Sequence, residues 1–589
     1  RNDYFFQVNA NGIRRDALRE NNARFIEEWA TIWHAESQRH DDGWATEIAI
    51  PFKSISFAPE ADTWGINFGR GIVRKQEYTT WSSHQREWWP AYGGEITGIG
   101  EIEQGVGLDV VPSINVSQRR DLVFGEKRSG FEPSLDVRYR ITPSLSATLT
   151  LNTDFSTSEV DEQQVALDRF SLFFPEKRDF FLQDAGIFEF GNINTNGRPF
   201  FSRRIGLSED GEPIGLDAGI KLTGRVGDFN LGALAIRQEA YDDIEATDLF
   251  VARGSVNVLE ESAVGFILTH GDPTSNESNS VAGVDFLYRN SDGPFGEILT
   301  SRFWAQQSRS SDLDGDDSAL GFHVEIPSDK LMAYANVRYI EENFRPALGF
   351  VNRAGIKHYG VGTRYRVRPE TGRWRAINFR TDYGLVTDMS NRKLSEELVL
   401  MPLSFYSHRD DYMFAEIRRK KENVREDFDL FDGRLDVPAG EYEFDRYRAE
   451  LRTGMQRPLR FVLAVEDGGF FGGDRLEKFV EVQWRQSAYF FVALGFTENV
   501  VTLPSGDFTS HLGSLRTDVA FNARWSWSNF LQYDNTSEVF GINSRLRYIP
   551  EAGKELILVL NHGMGVDDRN HVSTTHNDIN LKVLYTFRY

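Results

Sequence analysis

The chain has 589 residues, with 88 Asp and Glu against 66 Lys and Arg, a net charge of −22 and no cysteine. That balance argues against a nucleic-acid binder, which needs a basic surface for phosphates, and the missing thiols exclude a disulfide framework, a thiolate metal site and a cysteine nucleophile. Mean hydropathy is −0.43 and no stretch reaches the roughly 18 apolar residues of a spanning helix, so the chain crosses a membrane only as a barrel, whose alternating strands average to a soluble-looking hydropathy.

The sequence starts at Arg1 without a charged and apolar leader, so any signal peptide has been removed or lies outside it. Residues 1–104 carry short runs, YFFQVN, WATIWHAE, WATEIAI and WGINFGR, and an aromatic cluster WSSHQREWWPAY, which read as strands and loops of a small β domain. Flat aromatic faces stack on sugar rings, which makes Trp81, Trp88, Trp89 and Tyr92 the candidate glycan-stacking residues. The competing reading packs them into the domain's core or against a neighbour.

From about residue 105 the texture is uniform, and one large β structure fits it better than several domains. In LSATLTLNT, Leu145, Ala147, Leu149 and Leu151 alternate with Ser146, Thr148, Thr150 and Asn152. After this strand, residues 155–213 form an excursion too long and too apolar for a free loop. Val165, Leu167, Phe170, Leu172, Phe173 and Phe174 suggest a helical turn or two before Pro175, followed by a mixed-charge cluster. One reading folds this segment into a lumen, where Phe173, Phe174, Pro175, Glu176, Lys177, Arg178 and Asp179 constrict the pore. The other makes it an external lobe or a further hairpin.

FFPEKRDFFLQDAGIF at 173–188 resembles the hallmark of a family of bacterial outer-membrane barrels that carry an N-terminal domain similar to family-9 carbohydrate-binding modules. DGWATEIAIPFKSISF, WGINFGRGIVRKQE and ALGFVNRAGIKHYG resemble further pieces of that family. The resemblance implies an outer-membrane location and a β-sandwich before the barrel, with the chain beginning inside that module. The family has no settled activity, so the resemblance carries over no catalytic residues.

SDLDGDD places Asp312, Asp314, Asp316 and Asp317 around one glycine, a weak calcium candidate against the simpler reading of a solvated acidic loop. No other cofactor is indicated. Farther on, YGVGTRYRVR, LRTDVAFNARWSW and FGINSRLRY each set an apolar face against a polar, Arg-bearing one. With the apolar faces toward lipid, Arg138, Arg140, Arg364, Arg366, Arg516, Arg524, Arg545 and Arg547 become candidate lumen-wall residues. They act either as a selectivity field for anionic or sugar-like solutes or as a lattice paired with lumenal carboxylates.

Punctuation alternates along the chain. Short turns such as ITPS, NSDGP, IPSDK, RPETGR, RQS and WSN separate longer, more polar connections such as NVREDFDLFDGRLDVPAGE and THGDPTSNESN. That parity is the signature of an outer-membrane barrel. The count is about 24 strands, or about 26 if 155–213 hides a hairpin. An even count puts the N-terminal domain on the periplasmic side with the C-terminus, whose alternating Leu581, Val583, Tyr585, Phe587 and Tyr589 resemble a barrel-recognition signal.

The expected fold class is therefore all-β: a large antiparallel transmembrane β-barrel at 105–589 with a partial N-terminal β-sandwich domain at 1–104. The expected partners are outer-membrane lipid, a saccharide and other envelope proteins. The leading expectation for function is a channel or transporter for a saccharide or other polar solute, and the alternatives are a docking scaffold of an envelope complex and a membrane-embedded hydrolase. No G-x-S-x-G elbow or other catalytic constellation supports an enzyme.

Overall fold

The computed structural model describes the chain apart from residues 1–2, 21–23, 27–30, 56, 58–60, 73–76, 83–92, 101, 103–106, 154, 156–162, 164–166, 171, 209–210, 212, 314 and 567–571. Its dominant feature is a closed, antiparallel barrel of 24 strands. The first strand, Leu108–Asp121, pairs with Glu126–Thr142 on one side and with Val572–Tyr585 on the other, closing the wall. Beyond Thr586 the ladder resumes through Phe587–Arg588, and Arg588 forms an ion pair of 2.6 Å with Asp109 across the seam.

The alternation that marks strands in the sequence also sorts the two surfaces of the wall. In Ser262–His270, Val264, Phe266 and Leu268 are 43–49% exposed, whereas Ile267 and Thr269 on the other face are 0% and 4% exposed. The apolar side chains face outward all round. A closed ladder leaves no unpaired edge in hydrocarbon, so this is a membrane-spanning barrel of the outer-membrane type. Leu581, Val583, Tyr585, Phe587 and Tyr589 belong to the same outward set.

Several boundaries differ from the sequence expectation. LRTDVAFNARWSW is two strands, Gly506–Ala520 and Trp525–Asp534, joined by a turn at 521–524, and WSN lies inside the second. Arg524 therefore sits in an exposed turn and is not a wall residue; Asn522 makes the turn by accepting from the backbone N–H groups of Arg524 and Trp525. Connections at the far end are also shorter than the loops suggest, because the strands run on through them: Phe490–Leu503 and Gly506–Ala520 are joined by two residues. The long connections are 152–215, 341–355 and 425–439, and all three lie at the end opposite the C-terminus.

The N-terminal region forms one three-stranded sheet, Asp3–Val8, Arg14–Glu20 and Arg24–Ile26, and three two-stranded sheets. Among the described residues these four sheets are separate hydrogen-bonded ladders. The region sits against the barrel end that carries the C-terminus: Phe57 donates its N–H to the Pro143 carbonyl at 3.2 Å, and Arg588 reaches the Ser54 hydroxyl at 2.8 Å.

Candidate functional site: a segment seated in the lumen

The third strand, Leu145–Leu151, is only seven residues long. Asn152 then adopts a left-handed backbone, φ 50°, and anchors its side chain on the Pro133 carbonyl at 2.8 Å. The chain leaves the wall here and returns at Leu216–Val226, which pairs directly with Leu145–Leu151. Residues 152–215 thus add no strand to the ladder, and the barrel closes without them. The 26-strand alternative is excluded.

The segment packs on the inner face of the wall. Lys221, 2% exposed, donates its ammonium to the Phe180 and Gln183 carbonyls, and its neighbour Thr223 bonds the Asp184 carboxylate at 2.7 Å. Farther round, Arg253 donates to the Glu189 carbonyl at 2.9 Å and pairs with Asp285 at 2.8 Å, and Asp285 also accepts the Gly191 N–H. Gln306 bonds the Gly197 carbonyl at 2.5 Å. Arg169 meets Glu422 at 3.3 Å and the Gln163 N–H meets Gln532 at 3.0 Å, so the segment reaches well round the barrel.

Glycines in the wall make room for its aromatic rings. A Cβ on Gly283 would lie 2.8 Å from Phe190 Cζ, and one on Gly232 would lie 3.0 Å from Phe188 Cε1. Phe180, Phe188, Phe190 and Ile205 join wall residues such as Leu234, Leu249, Ile267 and Trp304 in one buried apolar cluster. This half of the lumen is a packed core, not an arginine-lined channel.

Within the segment Glu176 and Arg178 pair with each other. Arg178, 6% exposed, binds Glu176 through Nε at 2.8 Å and Nη2 at 2.7 Å, and donates to the Ile205 carbonyl at 2.6 Å. Burial would raise the Glu176 carboxyl, but Arg178 and the Ser202 hydroxyl outweigh it and hold the group below the usual range. Asp179 goes the other way: burial pushes it up against the pull of the Arg138 and Arg547 guanidinium groups. Phe173 stacks on Phe201 at 4.7 Å, Phe174 lies under Arg203, and the Pro175 carbonyl accepts from Arg203 at 3.0 Å. Among the described residues the segment's short helix follows Pro175, at Asp179–Leu182, rather than preceding it, and Val165 lies outside the described residues. A residue preceding proline is pushed out of the helical region, so Phe174 cannot continue a helix into it.

The connection at 341–355 folds inward over the segment. Phe201 N–H bonds the Leu348 carbonyl at 2.7 Å, Arg198 and Phe350 form a backbone bridge, and Phe173 meets Phe350 edge-on at 5.2 Å. FFPEKRDFFLQDAGIF and ALGFVNRAGIKHYG, far apart in sequence, are therefore partners in space. A second insertion, within the polar connection NVREDFDLFDGRLDVPAGE, also turns in: the hairpin Phe428–Leu430 and Leu435–Val437 buries Leu430, Leu435 and Val437 against Val424, Phe470 and Val501, with Leu167 alongside. Its apolar positions alternate with its carboxylates, so one face can bury while the acidic face stays in water.

Arg138, Arg140, Arg364, Arg366, Arg516, Arg545 and Arg547 lie on the wall face opposite lipid-exposed neighbours such as Tyr139, Tyr365 and Trp527. Arg366 pairs with Asp329 at 2.5 Å, Arg516 with Asp518 at 3.1 Å and Arg547 with Glu555. Arg364 donates to the Ser328 carbonyl at 3.3 Å and Arg140 to the Ile55 carbonyl of the N-terminal region. Between that region and the wall at 481–530 lies a cavity of about 2000 Å³ bordered by Phe6, Trp44, Arg485, Arg516 and Asp518. The sheet above it touches the segment, since Leu18, Tyr4 and Phe6 pack with Leu182.

Trp81 is 61% exposed, with its ring 5.9 Å from Phe68; Trp88, Trp89 and Tyr92 lie outside the described residues. Asp312 binds Arg345 at 2.8 Å, and Asp317 accepts the Asn343 N–H at 2.6 Å. Asp314 lies outside the described residues, as does the side chain of Asp316. The sequence reading overlooked Lys221, Arg253, Asp285 and the socket glycines. The available signal was their place opposite lipid-facing residues, as Lys221 beside Ile220.

Residues 107–222, less than half of the chain, match a domain of unknown function, DUF5916, whose span ends within the strand that carries Lys221. Among curated proteins none matches the chain in sequence. Among solved structures, the ferripyoverdine receptor of the outer membrane of Pseudomonas aeruginosa is similar at 9% identity and a TM-score of 0.38, over 81% of this chain and 72% of that one. The ferric yersiniabactin uptake receptor FyuA of Yersinia pestis gives 9% and 0.34 over 81% and 80%. OpdO of Pseudomonas aeruginosa gives 9% and 0.28 over 82% and 96%. At these values the architecture rests on the pairing of the chain's own strands.

Proposed function

We propose that the protein is an outer-membrane transport barrel for a saccharide or another polar solute, in which the 155–213 segment is a plug that narrows the lumen. The observation that carries this reading is that the strands flanking the plug pair directly with each other. A plug outside the ladder can shift without opening the wall. The long connections mark the outer end, so the N-terminal region faces the periplasm beside the C-terminus. The exposed Trp81 ring supports a sugar-like solute, and the Arg and carboxylate pairs of the wall supply its polar surface.

The test is single-channel conductance in a planar bilayer, comparing the intact protein with a variant lacking residues 160–190. A silent intact protein and a large conductance in the deletion are expected. Silence in both, with the heat-resistant barrel fold retained, overturns the transport reading and favours a docking scaffold, for which the exposed Phe68 and Trp81 of the N-terminal region offer a surface.

A further inference from the structure

The outer surface at the barrel seam can be read row by row across neighbouring strands. Phe131, Val116, Leu581, Leu558, Leu546 and Trp527 lie side by side in one row, all apolar. Two residues farther from the C-terminal end, the row becomes Ser129, Gln118, Ile579 and Leu560. Two residues beyond that it is Lys127, Arg120, Asn577 and His562, with Asn577 hydrogen-bonded to His562.

Depth follows from strand geometry. On Glu126–Thr142 the outward residues from Ile141 up to Phe131 are all apolar. At roughly 3.4 Å per residue and a tilt of about 40° they cover about 26 Å, the height of an outer-membrane barrel's apolar band. Lys127 stands about 10 Å above that band by the same geometry, at the level of the headgroups.

Arg120 and Lys127 are directly opposed across the ladder, and both are exposed. Like charges in that position repel. Their neighbours on the lumen face are accounted for, Arg119 near Asp578 at 3.7 Å and Arg128 with Glu126 at 2.8 Å, but among the described residues neither Arg120 nor Lys127 has a carboxylate partner. A cation pair at headgroup depth needs an anion from outside the protein. The flanking Gln118, Ser129 and Asn577 add hydrogen-bonding groups that suit sugar hydroxyls, and the apolar row beneath suits acyl chains.

We propose that Arg120 and Lys127 form a seam site for a phosphate of a phosphorylated glycolipid in the outer leaflet. The assignment of the leaflet rests on the orientation given under the proposed function. The phosphate bridges the two cations and relieves their repulsion, while the acyl chains lie against Val116, Phe131 and Leu581.

The experiment uses the full chain in detergent, titrated with bis-phosphorylated lipid A, its dephosphorylated form and phosphatidylglycerol, and read by native mass spectrometry. The intact protein should hold phosphorylated lipid A at least tenfold more tightly than either other lipid, and Arg120→Gln with Lys127→Gln should abolish that preference while heat resistance of the barrel is unchanged. Equal retention of the three lipids, or a preference that survives the double substitution, overturns the site. Orientation is read separately: in a chain without native cysteine, Val123→Cys should react with an impermeant maleimide on intact cells. Failure to label overturns the outer-leaflet assignment even if phosphate binding in detergent persists.

Discussion

Replacing Lys221 by Met tests what seats the plug. The side chain is buried, donates to the Phe180 and Gln183 carbonyls, and holds its ammonium 4.8 Å from the Phe180 ring centroid. Met fills most of the volume but donates nothing, so two buried carbonyl groups lose their partner at about 1–3 kcal/mol each. Against that loss stands the desolvation of the ammonium, which the native site bears and the variant does not. A net loosening of about 3 kcal/mol raises the population of the unseated plug roughly 100-fold. The barrel ladder is untouched, because Lys221 keeps its backbone pairing with Thr148 and Leu234. Hydrogen exchange in detergent should show faster exchange at Phe181, Leu182 and Gln183, whose amides close the turn at Asp179–Leu182, with no change in the strand amides of Leu216–Val226. Bilayer recordings should show brief openings absent from the wild type. Unchanged or slower exchange at the helix would refute the reasoning, since it would mean that the buried ammonium costs as much as its two bonds return.

Three further outcomes follow from the same contacts. Gly283→Val should unseat Phe190, whose ring leaves no room for a Cβ, at a cost of about 1–3 kcal/mol; exchange at 189–193 reports it. Phe350→Ala should cost about 3–4 kcal/mol and release the 341–355 connection together with the plug, because Phe350 touches both Phe173 and Phe201; a protease that cuts the connection without exposing the plug would contradict it. Glu176 is held below its ordinary value of 4.5, so its contribution is fully present above that pH and fades as pH falls through the lowered value. Asp179, raised by burial, has the opposite sign and favours the seated state once protonated. In an Asp179→Asn background, which removes the opposing group, proteolysis of the plug by an acid-active protease should increase below about pH 4.5, and adding Glu176→Gln should abolish that increase.

The alternation of side chains was enough to assign the fold class and the lipid-facing surface, because a two-residue period has only two faces and the membrane dictates which one is apolar, and it narrowed the strand count to about 24 or 26. The closing strand shows this plainly: Leu581, Val583 and Tyr585 need no knowledge of their neighbours to be placed outward. The apolar excess of 155–213 likewise demanded burial. Its seat did not follow, because a segment outside the ladder is held by residues that are anonymous in their own strands. Gly232 and Gly283 are ordinary glycines until Phe188 and Phe190 arrive, and Lys221 is one more lumenal cation until two carbonyl groups meet it. Arg524 was misplaced because a four-residue turn without glycine or proline leaves the alternation almost unbroken. The inward fold of 341–355 and of the hairpin at 428–437 was decided only in three dimensions, where the open mouth of a 24-strand barrel offers apolar side chains a surface that no local pattern announces.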